Sequence, residues 1–544
     1  MIVKMLHLDL VCLAHDKKST LESLRDLGAV HLDLSSASGP AVAAAKGEAA
    51  DAEKAVRLIL KARGKSSDFD MHERTVSEVL AIDADRETLK SAKEDLEREI
   101  RAYERYGDFD PALAEKLLKE VEGLRDFVDM PETLPETRLS KMREKLERVE
   151  NRIRVDEDRL AGCDEKAILR RFPSLADKIA FESAKELVGE QGELAFVSGW
   201  IPVSSRGALA AAATEKGWGT LIREPADGEV PPTLVEPPKM FRPMKALFAG
   251  LGIAPAYTEA DVSVPFMCYF SLFFAMLVGD GAYGAIFLAG TLAMKNKLPK
   301  SWFTLLTVFS SATVLWGLLS NTWFGAGIPW CANWPTVKWL ADPSYHNMML
   351  LCFTIGVSHL MLARIWNGIC KAPDSTCVAE FGWAGILLFM YLVTNSIVGI
   401  FSGIPQWGFG VLGVSIVCVF GFSVKPSELK TRGAELGMLP LSIMSALGDI
   451  ISYVRLFAVG LASVKVAENF NSMATGLVSS EHAWWLNALM CVAMVAILVV
   501  GHALNLAMAG LSILVHAVRL NTLEFSNHKG VSWSGYAFNP FKKN

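Results

Sequence analysis

Apolar and polar positions alternate in two different rhythms along this chain, and the change between them divides it. Ile2–Leu13 roughly alternates and predicts a strand, Asp16–Leu27 predicts an amphipathic helix, and Val30–Leu34 a second strand. From 42 to 185 the rhythm becomes that of charged helices. Asp85–Arg105 and Thr137–Leu160 are rich in Glu, Lys and Arg, with sparse apolar residues such as Leu139, Met142, Leu146, Val149 and Ile153 at 3-4 spacing. Phe109, Pro111, Pro131 and Pro135 lie between them, which suggests an antiparallel helical hairpin. Pattern alone leaves two meanings open for it, a solvated helical face or a long connecting bar. Glu193–Trp200 then reads as a strand, Ser204–Lys216 as an Ala-rich helix and Thr220–Arg223 as another strand. The expected fold is therefore multi-domain. Residues 1–41 and 186–228 form α/β lobes, 42–185 a coiled-coil hairpin arm, and the Pro-rich stretch within 229–263 a linker.

Beyond the linker the pattern changes to long apolar tracts: Val264–Met294, Ser301–Phe324, Asn347–Trp366, Ala379–Ile400, Trp407–Val424, Met438–Leu477 and Ala483–Leu520. A membrane span needs roughly 20 residues. The first tract holds Gly279-Asp280-Gly281 at its middle, which suits a hairpin better than one straight helix. Splitting it returns Lys295, Lys297 and Lys300 to the side of the soluble half. The same split places Arg364/Lys371, Lys425/Lys430/Arg432 and the Lys-rich C-terminus there too, as the positive-inside rule asks. About eight membrane helices follow, with 264–524 as the membrane domain, 525–544 as a tail, and both arm and C-terminus cytoplasmic. The last two tracts, each about 40 residues or roughly 60 Å of helix, must tilt, break or project from a core ~30 Å thick.

One arginine, Arg455, lies inside the apolar stretch Leu447–Leu461. An unpaired charge at that depth costs about 2.5–3.5 kcal/mol on insertion scales, so it needs an anionic partner or water. Asp449 stands six residues back and points off its face on a regular helix, so the partner is expected elsewhere, another subunit included. On an unbroken helix Gly448, Ser452, Arg455, Val459, Ala462, Val466 and Asn469 share a face. Asn505, Ser512, His516 and Arg519 do so on the last helix. Such stripes mark either an ion pathway or helix–helix contacts.

Composition agrees with a soluble half joined to a membrane half: 51% of the 544 residues are hydrophobic, yet 21% are charged. A net charge of −5 gives no reason to expect a nucleic-acid partner. The nine cysteines are scattered without a CxxC pair and read as small hydrophobes, not as a disulfide or metal framework. No Walker A pattern occurs, so no P-loop binds ATP here, and no cofactor is expected. The lone GxGxxG, Gly408–Gly413, lies in an apolar tract without strand–turn–helix context and carries no meaning. The N-terminus lacks a basic region before a continuous apolar core, so a cleaved signal peptide is not expected.

Several motifs bear a family resemblance. Ser452–Ala462 (SYVRLFAVGLA) resembles the SYLRLFALGLA signature of subunit a of V-type rotary ATPases, called subunit I in prokaryotes. Gly501–Leu506 (GHALNL), Val515–Leu520 (VHAVRL) and Glu524 resemble its last helix, and Met276–Gly284 its first membrane hairpin. Gly199-Trp200-Ile201-Pro202 and Val230-Pro231-Pro232 also match, so the resemblance runs in order along nearly the whole chain. It implies a non-catalytic stator subunit in a prokaryotic cell membrane, coupling H⁺ or Na⁺ movement to ATP synthesis or hydrolysis. Arg455 would face the carboxylates of a rotating proteolipid ring with Arg519 as helper, and His516, Asn505, Ser512, Glu524, Ser452 and Asn469 are candidates along the ion path. The implied partners are that ring, the peripheral stalk, the central stalk and catalytic head, and membrane lipid. The chain departs from the family where Ala462-Ser463-Val464-Lys465 replaces an AHA stretch, where Ala509 and Leu441 stand for glutamates of some relatives, and in a short arm. Two other readings remain at this point. A secondary transporter would show internal repeats, which are not seen, and a membrane-anchored tether would leave Arg455 and Arg519 without purpose.

Overall fold

A computed structural model describes residues 1–64, 71–120, 131, 133–340, 342–424, 437–477 and 484–543. The loop expected to carry Lys425, Lys430 and Arg432 lies outside them, as do Ala483 and part of the stretch between the two charged helices. The chain divides into two compact units: Met5–Asp227 with Asn539–Asn544, and Met1–Lys4 with Gly228–Phe538.

In the first unit, strand β1 (Met5–Leu13) is followed by helices α1 (Lys17–Leu27), α2 (Pro40–Arg63), α3 (Val76–Tyr103), α4 (Pro111–Glu120), α5 (Leu139–Ala161), α6 (Glu165–Leu169) and α7 (Phe172–Leu187). Strands β2 (Gly189–Gln191) and β3 (Leu194–Pro202), helix α8 (Arg206–Lys216) and strand β4 (Gly219–Arg223) complete it. The strands expected to belong to two lobes form one antiparallel sheet, in the order β2-β3-β1-β4. Met5 pairs with Pro202 and Leu13 with Leu194, while Leu8 lies opposite Ile222. Alternation in β1 places Leu8, Leu10 and Cys12 on the face covered by Leu21 and Leu24 of α1 and Leu209 of α8. A single surface-facing strand pair could not bury both faces of so short an α/β segment, so the two ends of the unit share one core. Val30–Leu34 is not a strand: His31 makes one two-way bridge to Trp200, and a 3-10 turn begins at Leu34.

Helix α3 opens with a reciprocal cap, Thr75 accepting from the Glu78 amide and Glu78 from the Thr75 amide. It packs antiparallel to α5, as the pairs Lys93–Glu150 and Glu104–Arg143, both at 2.7 Å, show. Ile100, Leu139 and Met142 form the apolar seam between them.

The second unit contains α9 (Met244–Leu251), α10 (Ser263–Val278), α11 (Gly281–Ala293), α12 (Lys300–Ser320), α13 (Pro335–Leu340), α14 (His346–Lys371), α15 (Thr376–Ile397) and α16 (Gln406–Phe422). It ends with α17 (Leu439–Ile451), α18 (Val454–Thr475), α19 (Trp484–Ser512) and α20 (Ser526–Lys529). Among the described residues, five helical stretches are long and apolar enough to cross a membrane, or six if α10 and α11 count as one bent span. This is fewer than the expected eight, because α10, α11 and α16 are each helical but short. Two of the five, Leu439–Thr475 and Ala488–Lys529, run to 37 and 42 residues.

The Gly-Asp-Gly motif makes a sharp elbow of 119° between α10 and α11. Gly279 closes α10 at φ +69°, a conformation that suits glycine, and Asp280 caps α11 by accepting from the Ala282 amide at 2.8 Å. Its other oxygen accepts from the Gly325 amide at 2.9 Å, so this buried carboxylate is used up in holding the elbow. Gly281 lies directly against Gly317 of α12. A Cβ at 317 would fall on the Gly281 backbone, whereas one at Gly290 would meet nothing within 4 Å. Gly317→Val is therefore expected to cost about 1–3 kcal/mol and to lower the melting temperature of the detergent-solubilised protein, with Gly290→Val close to wild type. Equal melting of the two variants would remove this contact from the account.

Candidate functional site

The shared face read from the sequence assumes one unbroken helix through Arg455, but α17 stops at Ile451 and α18 begins at Val454. The Ser452 hydroxyl donates to the Asp449 carbonyl at 2.6 Å. The backbone tightens there: the Tyr453 amide bonds to Ile450 and that of Leu456 to Tyr453, three residues back instead of four. Tyr453, fully buried, occupies the break. The last helix is also irregular. After Ser512 it passes through two π-helical turns, Ile513–Ala517 and Leu520–Phe525.

The second of these turns brings the site's charges together. On a regular α-helix Arg519 and Glu524 would point about 140° apart. A π turn brings residues five apart onto one face. Glu524 Oε1 consequently lies 3.5 Å from Arg519 Nε and accepts from Arg455 Nη2 at 3.3 Å. The anionic partner sought for Arg455 is therefore on this chain. Glu524 is 6% exposed at its side chain, Arg455 25% and Arg519 54%, so the carboxylate is the enclosed member and the arginines reach towards the surface. Its second oxygen, Oε2, and Nδ1 of His516 are buried without a hydrogen-bond partner among the described residues. A carboxylate shared between two guanidiniums leaves a net positive site at membrane depth, suited to meet an external carboxylate.

The other expected site residues are placed separately. Ser512 is half-buried at the end of α19, and Asn469 is exposed far along α18 from Arg455. The hydroxyl of Ser452 is taken by its own helix. Asn505 is buried in a network that joins three helices. It donates to Tyr283 Oη at 3.0 Å and to the Ser463 carbonyl at 2.9 Å, and accepts from Ser463 Oγ at 3.1 Å. Tyr283 Oη is in turn hydrogen-bonded to His502 Nδ1 at 2.8 Å.

A second charged cluster, which reasoning from the sequence missed, lies at the C-terminal end of α14. Arg364 donates to His528 Nδ1 at 3.1 Å, which leaves the proton on Nε2 to be given to Asp449 Oδ2 at 3.0 Å. Glu380 accepts from Arg364 at 3.1 Å and from Lys371 at 2.6 Å. Asn367 accepts from Lys529 at 2.6 Å and donates to the His528 carbonyl at 3.0 Å. The signal was present in Glu380, an acid inside an apolar tract. The cluster ties α14, α15, α17 and α20 together and anchors the chain just after Glu524.

Glu524→Gln removes the charge that both arginines share. It is expected to cost about 1–3 kcal/mol, seen as a lower melting temperature in detergent, while Glu524→Asp retains more stability. An unchanged melting curve for Glu524→Gln would show that the ion pair does not hold the two helices.

No family model matches the chain, but individual proteins do. It is 28% identical to "V-type ATP synthase subunit I" of Borreliella burgdorferi, with all of both chains covered. It is 27% identical to "V-type ATP synthase subunit I 1" of Treponema pallidum, again over the whole of both. "A-type ATP synthase subunit I" of Methanocaldococcus jannaschii is 23% identical, over 84% of this chain and 68% of that one. With its membrane-length helices, the chain is a multi-pass membrane protein and a homologue of proteins named V-type and A-type ATP synthase subunit I, two of them matched from end to end.

Proposed function

We propose that this chain is the membrane stator of a rotary ATPase or ATP synthase, passing H⁺ or Na⁺ between two half-channels against a rotating ring of proteolipid subunits. The observation that carries this reading is the state of Arg455: a guanidinium inside a membrane-length helix, pinned on one side by Glu524 and open on the other. The open side is small. Ser445 and Gly448 before the break and Ala458 and Ala462 after it are small and exposed, which would let another helix approach closely. A ring carboxylate arriving there would be held as the anion and would release its ion. Because arginine keeps its charge at every attainable pH, it also blocks ions from crossing straight between the half-channels.

Arg519 and Glu524 set the local charge around Arg455, and His516, with Ser512 one turn away, lies beside the exposed arginine edge. Ser452, Asn469 and Asn505 extend polar positions towards either end of the long helices. The first unit would be the arm: α3 and α5 as a coiled-coil hairpin resisting torque, joined to the single sheet, with peripheral-stalk subunits bound to it. The arm and the C-terminus would be cytoplasmic. Supporting this orientation, Arg364 meets His528 and Asn367 meets Lys529, so the basic end of α14 lies beside that of the last helix. The chain itself hydrolyses nothing on this reading; the catalytic head does so and drives the ring through the central stalk.

The test is ATP-driven ion uptake by vesicles containing the whole complex. Arg455→Ala is expected to abolish uptake with the complex still assembled, and Arg455→Lys to be strongly defective, since a buried ammonium can lose its proton where a guanidinium does not. Wild-type uptake by Arg455→Ala would make the arginine a packing residue and return the transporter and tether readings.

A further inference from the structure

His359 of α14 is among the most enclosed polar side chains in the membrane unit, and no motif points to it. Its ring lies between two aromatic rings, Tyr269 at 4.1 Å and Phe525 at 4.5 Å between centroids, both stacked. Phe273 meets its edge at 5.5 Å. Its Nδ1 is hydrogen-bonded to Tyr453 Oη at 2.9 Å, and its Nε2 has no partner among the described residues. One turn earlier on the same helix, Gly356 leaves the space in which the Tyr453 ring sits: a Cβ there would come within 2.5–3.0 Å of that ring. Gly356 and His359 together make a socket that accepts a single tyrosine.

Both neighbours that this histidine grips are next to the charged site. Tyr453 stands two residues before Arg455, in the break between α17 and α18. Phe525 directly follows Glu524, within the second π turn. His359 therefore fixes, from behind, one residue on each of the two helices whose charges meet at 3.3 Å. We propose that His359 is a positioning residue: by holding Tyr453 and Phe525 it sets Arg455 against Glu524 at the depth where a ring carboxylate would be discharged. This rests on the stator reading given above. The histidine is fully enclosed by this chain, so it acts through Tyr453.

A helix break is a soft point in the backbone, and a guanidinium on a long side chain has many rotamers to explore. The hydroxyl–imidazole bond in a fully enclosed site removes that freedom at the break, two residues from the charge. The aromatic stack does the same on the π-helical side. The geometry also separates the two contributions chemically. Phenylalanine at 359 keeps the stack and loses the hydrogen bond. Asparagine places a hydrogen-bonding atom close to where Nδ1 lies, while glutamine places one close to Nε2, away from Tyr453.

The experiment uses the complete complex in vesicles, reading ions taken up per ATP hydrolysed together with the melting temperature. His359→Phe and Tyr453→Phe are each expected to lower the coupled uptake about tenfold with little change in melting. The double variant should lose no more than either single one, because both remove the same bond. His359→Asn should restore most of the uptake and His359→Gln should not. Tyr453→Phe deletes only a hydroxyl, so it keeps the test valid if a substitution at 359 disturbs folding. Arg455→Ala is run beside them. If it abolishes uptake while His359→Phe and Tyr453→Phe transport like wild type, the positioning role is wrong and the stator reading stands. Losses that simply add in the double variant, or that follow the melting temperature, would equally reduce His359 to a packing residue. Wild-type uptake by Arg455→Ala would instead overturn the stator reading and this inference with it.

Discussion

The structure depends on how a permanently charged guanidinium is kept inside a membrane span. Arg455 cannot discard its charge and cannot stay there without an anion. Glu524 supplies one, and the π turn Leu520–Phe525 brings it onto the face of Arg519. The carboxylate is enclosed and the guanidiniums reach outward, so the charge is balanced on the protein side and available on the other. An ordinary buried ion pair would satisfy both partners and leave nothing to react. Here two cations share one anion, and the site has attraction left for another carboxylate.

Much of the remaining membrane unit serves to keep those two irregular helix segments in place. The elbow at Asp280 lets α10 and α11 fold back against α12 without exposing backbone groups. The Arg364–His528–Asp449 cluster ties α14 to both the start and the end of the site, with Glu380 neutralising the surplus positive charge. Asn505, Ser463 and Tyr283 join α11, α18 and α19 by hydrogen bonds that are fully used within the protein. On our reading these are the rigid surroundings of a contact that must be made and broken repeatedly, and the irregular backbone is confined to the contact itself.

Composition and period show the division into a charged half and an apolar half, because burial demands are large and repeat over many residues. The isolated charge of Arg455 is equally legible: one arginine in an apolar stretch has few interpretations. That Glu524 meets it is not legible, since an α-helical period of 3.6 places Glu524 off the face of Arg519, and nothing in the local sequence announces π turns. The break at Ser452-Tyr453 is hidden for a related reason. The socket that receives Tyr453 there, formed by Gly356 and His359, lies about a hundred residues away in sequence. The single sheet was read as strands of two lobes because β1 and β3 are separated by the whole helical region, and strand pairing over such distances leaves no periodic trace. Among the described residues five or six stretches have both the length and the apolar character of a span where eight were expected. Apolar tracts show which helices exist but not how long each runs, and α10, α11 and α16 are short.

The central claim, that the open face around Arg455 meets a moving ring, is tested most directly by cross-linking. Cysteine would replace Ala458 or Ala462, exposed neighbours of Arg455 on α18, and be paired with cysteines on the membrane helix of the proteolipid subunit in the assembled complex. The account predicts a disulfide to the proteolipid under oxidation, arrest of ATP-driven ion uptake while it persists, and recovery on reduction. Absence of any such cross-link, or uptake that continues undiminished with the disulfide formed, would contradict it.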